Sequence, residues 1–265
     1  PEKEKANLFE KAKNNAQCKD KYFKIARMNC ARMLSIAGVS NIRIDSDKEA
    51  ELIANEYEKL LFQAGYIDYE TIIIESTKLL QENTYVRECI SAKYPWLLID
   101  EYQDLGRPLH EMVLTLIDNT NIKFFAVGDP DQSIYGFQGA VPDYLCELAE
   151  RPDVQKIVLR NNYRSNQDII DGSELVLDQQ RGYIAKTRKS ENAVYEFIEV
   201  NDGLEEQIQY FLKKIVPRLV EAQIPYDEIA VLVGNNAECN RIAMGCRKEN
   251  IPYYICLLYT SDAAD

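Results

Sequence analysis

From Ala6 to Ala37 apolar residues recur at helical intervals, Phe23, Ala26, Cys30, Met33 and Leu34 among them, which predicts one long helix ended by Gly38. Asp45-Ser46-Asp47 supplies the cap for a second helix over 48–63, stopped at Ala64-Gly65. Asp68 caps a third that runs to about Glu82. The period then changes. Leu97, Leu98 and Ile99 form an uninterrupted apolar run that predicts a short strand buried on both faces, and Phe124 to Val127 repeats it. Strand and helix alternate from Trp96 to Glu150, the pattern of a doubly wound α/β core. After Arg151-Pro152 a second α/β series is predicted: strand 156–160, helix 165–178, loop 179–193, strand 194–200, helix 203–222, strand 228–233 and helix 237–249. There is no internal repeat or low-complexity tract.

Each strand ends on chemistry. The first stops on Asp100-Glu101, at the carboxyl end where open α/β sheets place their ligands. Adjacent acids repel each other, so such a pair gains little without a cation nearby. One carboxylate holding Mg²⁺ and the next polarising a water is what nucleotide hydrolysis requires. The competing reading is a strand end whose acids cap the next helix. The second strand runs into Gly128-Asp129-Pro130-Asp131, a turn by composition, with Gln132 and Ser133 placed to bond a ligand at the same edge. Tyr135 and Phe137 follow on a Gly-rich segment, where large rings are expected to stack on something. The third predicted strand leads into Asn161-Asn162-Tyr163-Arg164-Ser165.

Composition sets limits. With 265 residues, 46% of them apolar, the chain can hold one large core or two smaller ones. No apolar run reaches the roughly 20 residues that a membrane span needs. Seven cysteines, an odd number without a CxxC pair, argue against a disulfide framework or zinc site and for a reducing cytosol. His110 is expected in a surface or capping role. The net charge of −12 argues against a protein that coats nucleic acid. The distribution softens this: residues 1–40 carry nine Lys/Arg against four acids, so a basic helical segment could track phosphates beside an acidic body, or be an ordinary solvated face.

Asp100-Glu101-Tyr102-Gln103-Asp104, Gly128-Asp129-Pro130-Asp131-Gln132-Ser133-Ile134-Tyr135-Gly136-Phe137 and Asn162-Tyr163-Arg164-Ser165, in this order, resemble motifs II, III and IV of the superfamily 1 DNA helicases of the UvrD/PcrA/Rep type. The resemblance runs from about Ala50 to Ile255. It implies two RecA-like parallel-sheet motor domains, both incomplete, with an N-terminal helical insertion. The divisions expected are 1–66 for a DNA-contacting helical insertion, 67–152 for the latter half of the first motor domain and 153–256 for part of the second. Residues 257–265 read as a non-native tail. The family's phosphate loop, Gly-x-x-x-x-Gly-Lys-Ser/Thr, does not occur in this sequence. With a first residue that is not Met, this predicts a fragment or processed product, inactive by itself.

The resemblance implies an ATP-dependent 3′→5′ DNA helicase or translocase of the cytoplasm. Its cofactors would be ATP and Mg²⁺, and its partners single-stranded DNA, single-strand/duplex junctions and a nuclease or repair protein. Asp100 would hold Mg²⁺, Glu101 would orient or deprotonate the attacking water, and Gln132 would touch the γ-phosphate or that water. Arg164 would act as an arginine finger, the alternative being a surface salt bridge. Tyr163 would stack on adenine or be a core aromatic. Phe137 would stack on a DNA base, and Tyr135 would do so or belong to the core. Three positions depart from the family: Gln138 and Gly234 where Arg is common, and Leu105 where Thr is usual. They bear on step efficiency more than on hydrolysis. Rival readings are a motor that works only with a nuclease partner, and a relic that binds without turnover.

Overall fold

Five of the described helices begin where a short polar side chain accepts a bond from a backbone N–H three residues on, three of them in succession. Asp47 accepts from Ala50, Asp68 from Thr71 and Asn83 from Val86, each cap contributing about 0.5–2 kcal/mol. A computed structural model describes residues 2–34, 47–136, 139–187, 192–201 and 203–256. The chain divides into two compact units, Pro1–Val158 and Leu159–Asp265.

In the first unit, helices α1 (Glu2–Asn15), α2 (Ile25–Leu34) and α3 (Lys48–Gln63) enclose Phe9, Ala12, Phe23, Met28, Ile53 and Tyr57. The single helix expected from Ala6 is thus two. The break is made by Gln17 in left-handed backbone (φ 55°) and a turn in which Asp20 accepts from the Tyr22 and Phe23 amides. It delivers Phe23 to Phe9, ring centroids 6.2 Å apart, a contact that a straight helix could not make. Gly38 and Asp45 lie outside the described residues. Helix α4 (Tyr69–Glu82) follows Asp68, and α5 (Thr84–Lys93), which the periodicity did not announce, follows Asn83.

One polar cluster joins three of these helices. Arg32 of α2 is fully buried and forks onto Asp68, Nη1 to Oδ2 at 2.9 Å and Nη2 to Oδ1 at 3.0 Å. It also donates to Thr71 of α4 and Glu58 of α3. Burial pushes the Asp68 carboxyl up, but the bonds from Arg32 and Thr71 outweigh it and hold it well below the usual carboxylate range.

Strands β1 (Trp96–Ile99) and β2 (Lys123–Ala126) pair in parallel, Trp96 opposite Lys123 and Ile99 opposite Ala126, with α6 (Arg107–Asn119) as the crossover. Helix α7 (Asp143–Ala149) follows. Leu97, Ile99, Phe124 and Ala126 pack on Tyr102, Val113, Tyr144 and Leu148. The other face is open: Leu98 is 72% and Trp96 56% exposed, so β1 is covered on one face only and not on both. His110 is 4% exposed, against the surface role expected of it. Its ring stacks on Tyr144 at 4.1 Å, and its Nδ1 shares a 2.8 Å hydrogen bond with the Tyr102 hydroxyl. Burial, then the nearby Arg151 charge, lowers its pKa to about 4.

In the second unit, β3 (Asn161–Asn162) pairs in parallel with β4 (Ile184–Ala185), followed and preceded respectively by α8 (Gln167–Leu177). Helices α9 (Gly203–Tyr210) and α10 (Val216–Glu221) form one helical run through a π turn at Phe211–Ile215. Pro217 has no N–H and crowds the preceding turn, and the wider turn accommodates it. Helix α11 (Asn236–Lys248) packs on this run through Ile208, Leu212 and Cys246. The strands expected at 156–160, 194–200 and 228–233 do not form, and the one ladder of this unit among the described residues includes 184–185, inside the expected loop. A strand exists only by its neighbour. Ile157, Leu159, Phe197 and Leu232 are exposed, in segments that have no ladder partner among the described residues.

Candidate nucleotide site at the sheet edge

The carboxyl ends of β1 and β2 lie side by side, because the two strands are parallel and in register up to Ile99 and Ala126. Beyond them, the Val127 amide bonds Ile99 O at 2.8 Å, and the Tyr102 amide bonds Val127 O at 3.0 Å. Residues 100–104 and 127–133 therefore form one edge. Asp100 and Glu101 are both exposed there. Glu101 has left-handed backbone, φ 51° and ψ 45°, an arrangement that costs a non-glycine residue about 1–3 kcal/mol and must be held by its surroundings. The next residue does so: Tyr102 is fully buried in the core under the sheet.

Neither acid's side chain caps the 3-10 turn over Tyr102–Asp104 or the helix α6 beyond it. Asp100 Oδ1 accepts from the Glu101 amide at 2.9 Å, and Glu101 Oε2 accepts from Gln103 Nε2 at 2.7 Å. The N-cap of α6 is Gly106, which has no side chain to offer. Asp104 is partly desolvated and faces the Glu101 charge, which together raise its pKa. Its Oδ1 is buried without a hydrogen bond.

Gln103 is 1% exposed and ties the two halves of the edge. Its Oε1 accepts from the Asp129 amide at 2.9 Å while its Nε2 holds Glu101. Gly128 makes room for this amide, since a Cβ there would lie 2.5 Å from Gln103 Oε1. Asp129 in turn holds the Gln132 side chain, Nε2 to Oδ2 at 2.8 Å, and Ser133 Oγ donates to Gln103 O at 3.3 Å. Gln132 is exposed and Tyr135 half-buried. Phe137 and Gln138 lie outside the described residues.

Sequence reasoning placed Asp100, Glu101 and Gln132 here but did not single out Gln103, Gly128 or Asp129. The available signal for Gln103 was an amide between acids within a turn, a neutral group able to donate to a carboxylate with its nitrogen and accept from an N–H with its oxygen.

In the second unit, Asn162 Oδ1 accepts from the Arg164 and Ser165 amides, both at 2.8 Å, which turns the chain sharply after β3. Tyr163 is 67% exposed, so it is not a core aromatic, and its carbonyl accepts from Thr187 Oγ1 at 2.6 Å. Arg164 is exposed and makes no ion pair among the described residues. The basic N-terminal helices carry fewer uncommitted cations than their composition implies. Lys5 pairs with Glu70, Lys13 with Glu10, Arg27 with Asp20 and Arg32 with Asp68.

Residues 2–153 match the family model of the UvrD/REP helicase N-terminal domain, and residues 157–257 that of the UvrD-like helicase C-terminal domain. The chain is 30% identical over 212 residues to the ATP-dependent DNA helicase Rep of Buchnera aphidicola subsp. Acyrthosiphon pisum, covering 79% of this chain and 33% of that protein. It is 27% identical over 233 residues to the ATP-dependent DNA helicase UvrD1 of Mycobacterium tuberculosis, covering 83% and 30%. With the ATP-dependent DNA helicase PcrA of Staphylococcus epidermidis the identity is 26% over 235 residues, covering 82% and 32%. The chain thus spans about a third of the length of these relatives. The motif order, the paired strand ends and the match across both units together place this chain in the UvrD/REP helicase family.

Proposed function

We propose that this chain is the middle of an ATP-dependent 3′→5′ DNA helicase: the helical insertion (1–66), the latter half of the first RecA-like motor domain (67–152) and part of the second (153–256). The observation that carries the reading is the exposed Asp100–Glu101 pair at the end of β1, tied through Gln103 to the turn that bears Gln132 at the end of β2.

The donor set suits a hard divalent cation. Asp100 offers carboxylate oxygens at an exposed edge, with the Glu101 carboxylate beside it. That fits Mg²⁺, which binds through one or two carboxylates and takes its other oxygens from phosphate and water. When bound, the ion would neutralise charge on the phosphates of ATP. Asp100 would hold it, Glu101 would orient or deprotonate the attacking water, and Gln132 would sense the γ-phosphate. Tyr163 would stack on adenine and Arg164 would meet charge developing in the transition state. Tyr135 and Phe137, downstream of Gln132, would contact bases of single-stranded DNA. The phosphate loop is not in this sequence, so the isolated chain is not expected to turn over ATP.

The test uses the full-length protein that carries this chain. Glu101→Gln keeps the volume but removes the charge, so DNA-stimulated ATP hydrolysis should fall by about 10²-fold or more with nucleotide binding retained. Near-normal turnover in the variant would overturn the assignment. Displacement of a strand from a 3′-tailed but not a 5′-tailed duplex tests the direction.

A further inference from the structure

Glu101 stands in a strained backbone at an exposed edge, and a carboxylate so placed has several rotamers open to it. One group limits them. Gln103 Nε2 lies 2.7 Å from Glu101 Oε2, and the amide that supplies it is itself buried and fixed. Its orientation follows from its partners: the oxygen must face the Asp129 N–H and the nitrogen must face the carboxylate. The neighbouring turn reserves space for it at Gly128. Tyr102 on one side and Ser133 on the other anchor its backbone, through Val127 O and Gln103 O.

We infer that Gln103 is a positioning residue for hydrolysis: it fixes the Glu101 carboxylate from the Asp129 amide of the neighbouring strand's turn. The inference rests on the hydrolytic reading of Glu101. Gln103 touches neither nucleotide nor water in this role. It acts by holding one carboxylate oxygen while the other meets the attacking water. It also makes the geometry of Glu101 depend on the turn that carries Gln132, so a shift in that turn reaches the carboxylate through two hydrogen bonds.

Steady-state ATPase of the full-length protein with single-stranded DNA tests this. Gln103→Ala should lower kcat by about 10–100-fold, the usual cost of losing a group that orients a reacting side chain, with KM for ATP little changed. Gln103→Glu separates positioning from folding. It keeps the volume and an acceptor for the Asp129 amide, but once ionised it sets a carboxylate against Glu101, so kcat relative to the unaltered protein should fall as pH rises, with the melting temperature followed at each pH. In the Glu101→Gln background, adding Gln103→Ala should cost nothing further, because the group it positions has lost its charge. Full kcat in Gln103→Ala, or a loss that adds undiminished to that of Glu101→Gln, overturns the inference and leaves the hydrolytic reading standing. Near-normal turnover of Glu101→Gln itself overturns both.

Discussion

His110 shows how one side chain can carry pH sensitivity far from any reaction. Its folded pKa is about 4, below the ordinary 6.5, because burial and then Arg151 disfavour the imidazolium. As pH falls, the unfolded imidazole takes up a proton near 6.5 while the folded one resists until about 4. Stability is therefore full above about pH 6.5, falls by about 3 kcal/mol between there and pH 4, and levels off below. Denaturant unfolding of the protein and of His110→Gln at pH 7 and pH 4.5 checks this; the variant should lose most of that slope. Equal slopes would assign the pH dependence to carboxylates instead. At Glu101 the unusual state is in the backbone, left-handed and held between Ile99 and the buried Tyr102. Strain of this kind persists only where the surroundings over-determine it, and here the surroundings are the sheet core.

At the scale of elements, the polar cluster on Arg32 decides how α2, α3 and α4 meet. Apolar contacts alone would let these helices slide, whereas a forked pair to Asp68 with a bond to Thr71 has one geometry. Arg32→Met should cost about 3–5 kcal/mol, because it leaves the Asp68 charge buried without its partner. Denaturant unfolding measures it, and a cost below about 1 kcal/mol would mean that the pair is solvated as a surface pair is. Asp68, held well below the usual carboxylate range, contributes stability that is present at neutral pH and lost as pH drops through the acid range. The π turn before Pro217 is a second local solution, one long helical run kept by widening a turn instead of breaking it.

At the scale of the whole molecule, two units each contribute motif residues, Asp100, Glu101 and Gln132 from one, Tyr163 and Arg164 from the other. If Arg164 supplies transition-state charge stabilisation as proposed, Arg164→Ala in the full-length protein should lower ATP turnover by about 10³-fold or more while nucleotide affinity changes far less. A turnover near that of the unaltered protein would return Arg164 to an ordinary surface cation. The sequence by itself determined what depends on near neighbours. The helix starts after Asp47, Asp68 and Asn166 are bonds spanning three residues, and the acids at the end of β1 follow an apolar run visible in the chain. Family motifs were legible for the same reason, since each is a contiguous string. Only the tertiary structure decided what depends on distant partners. Gln103 gains its meaning from Asp129, 26 residues on, and His110 its burial from Tyr144. The apolar runs at 156–160, 194–200 and 228–233 resemble strands in composition. A ladder, unlike a helix, takes its hydrogen bonds from another part of the chain, so periodicity could announce these segments but could not pair them.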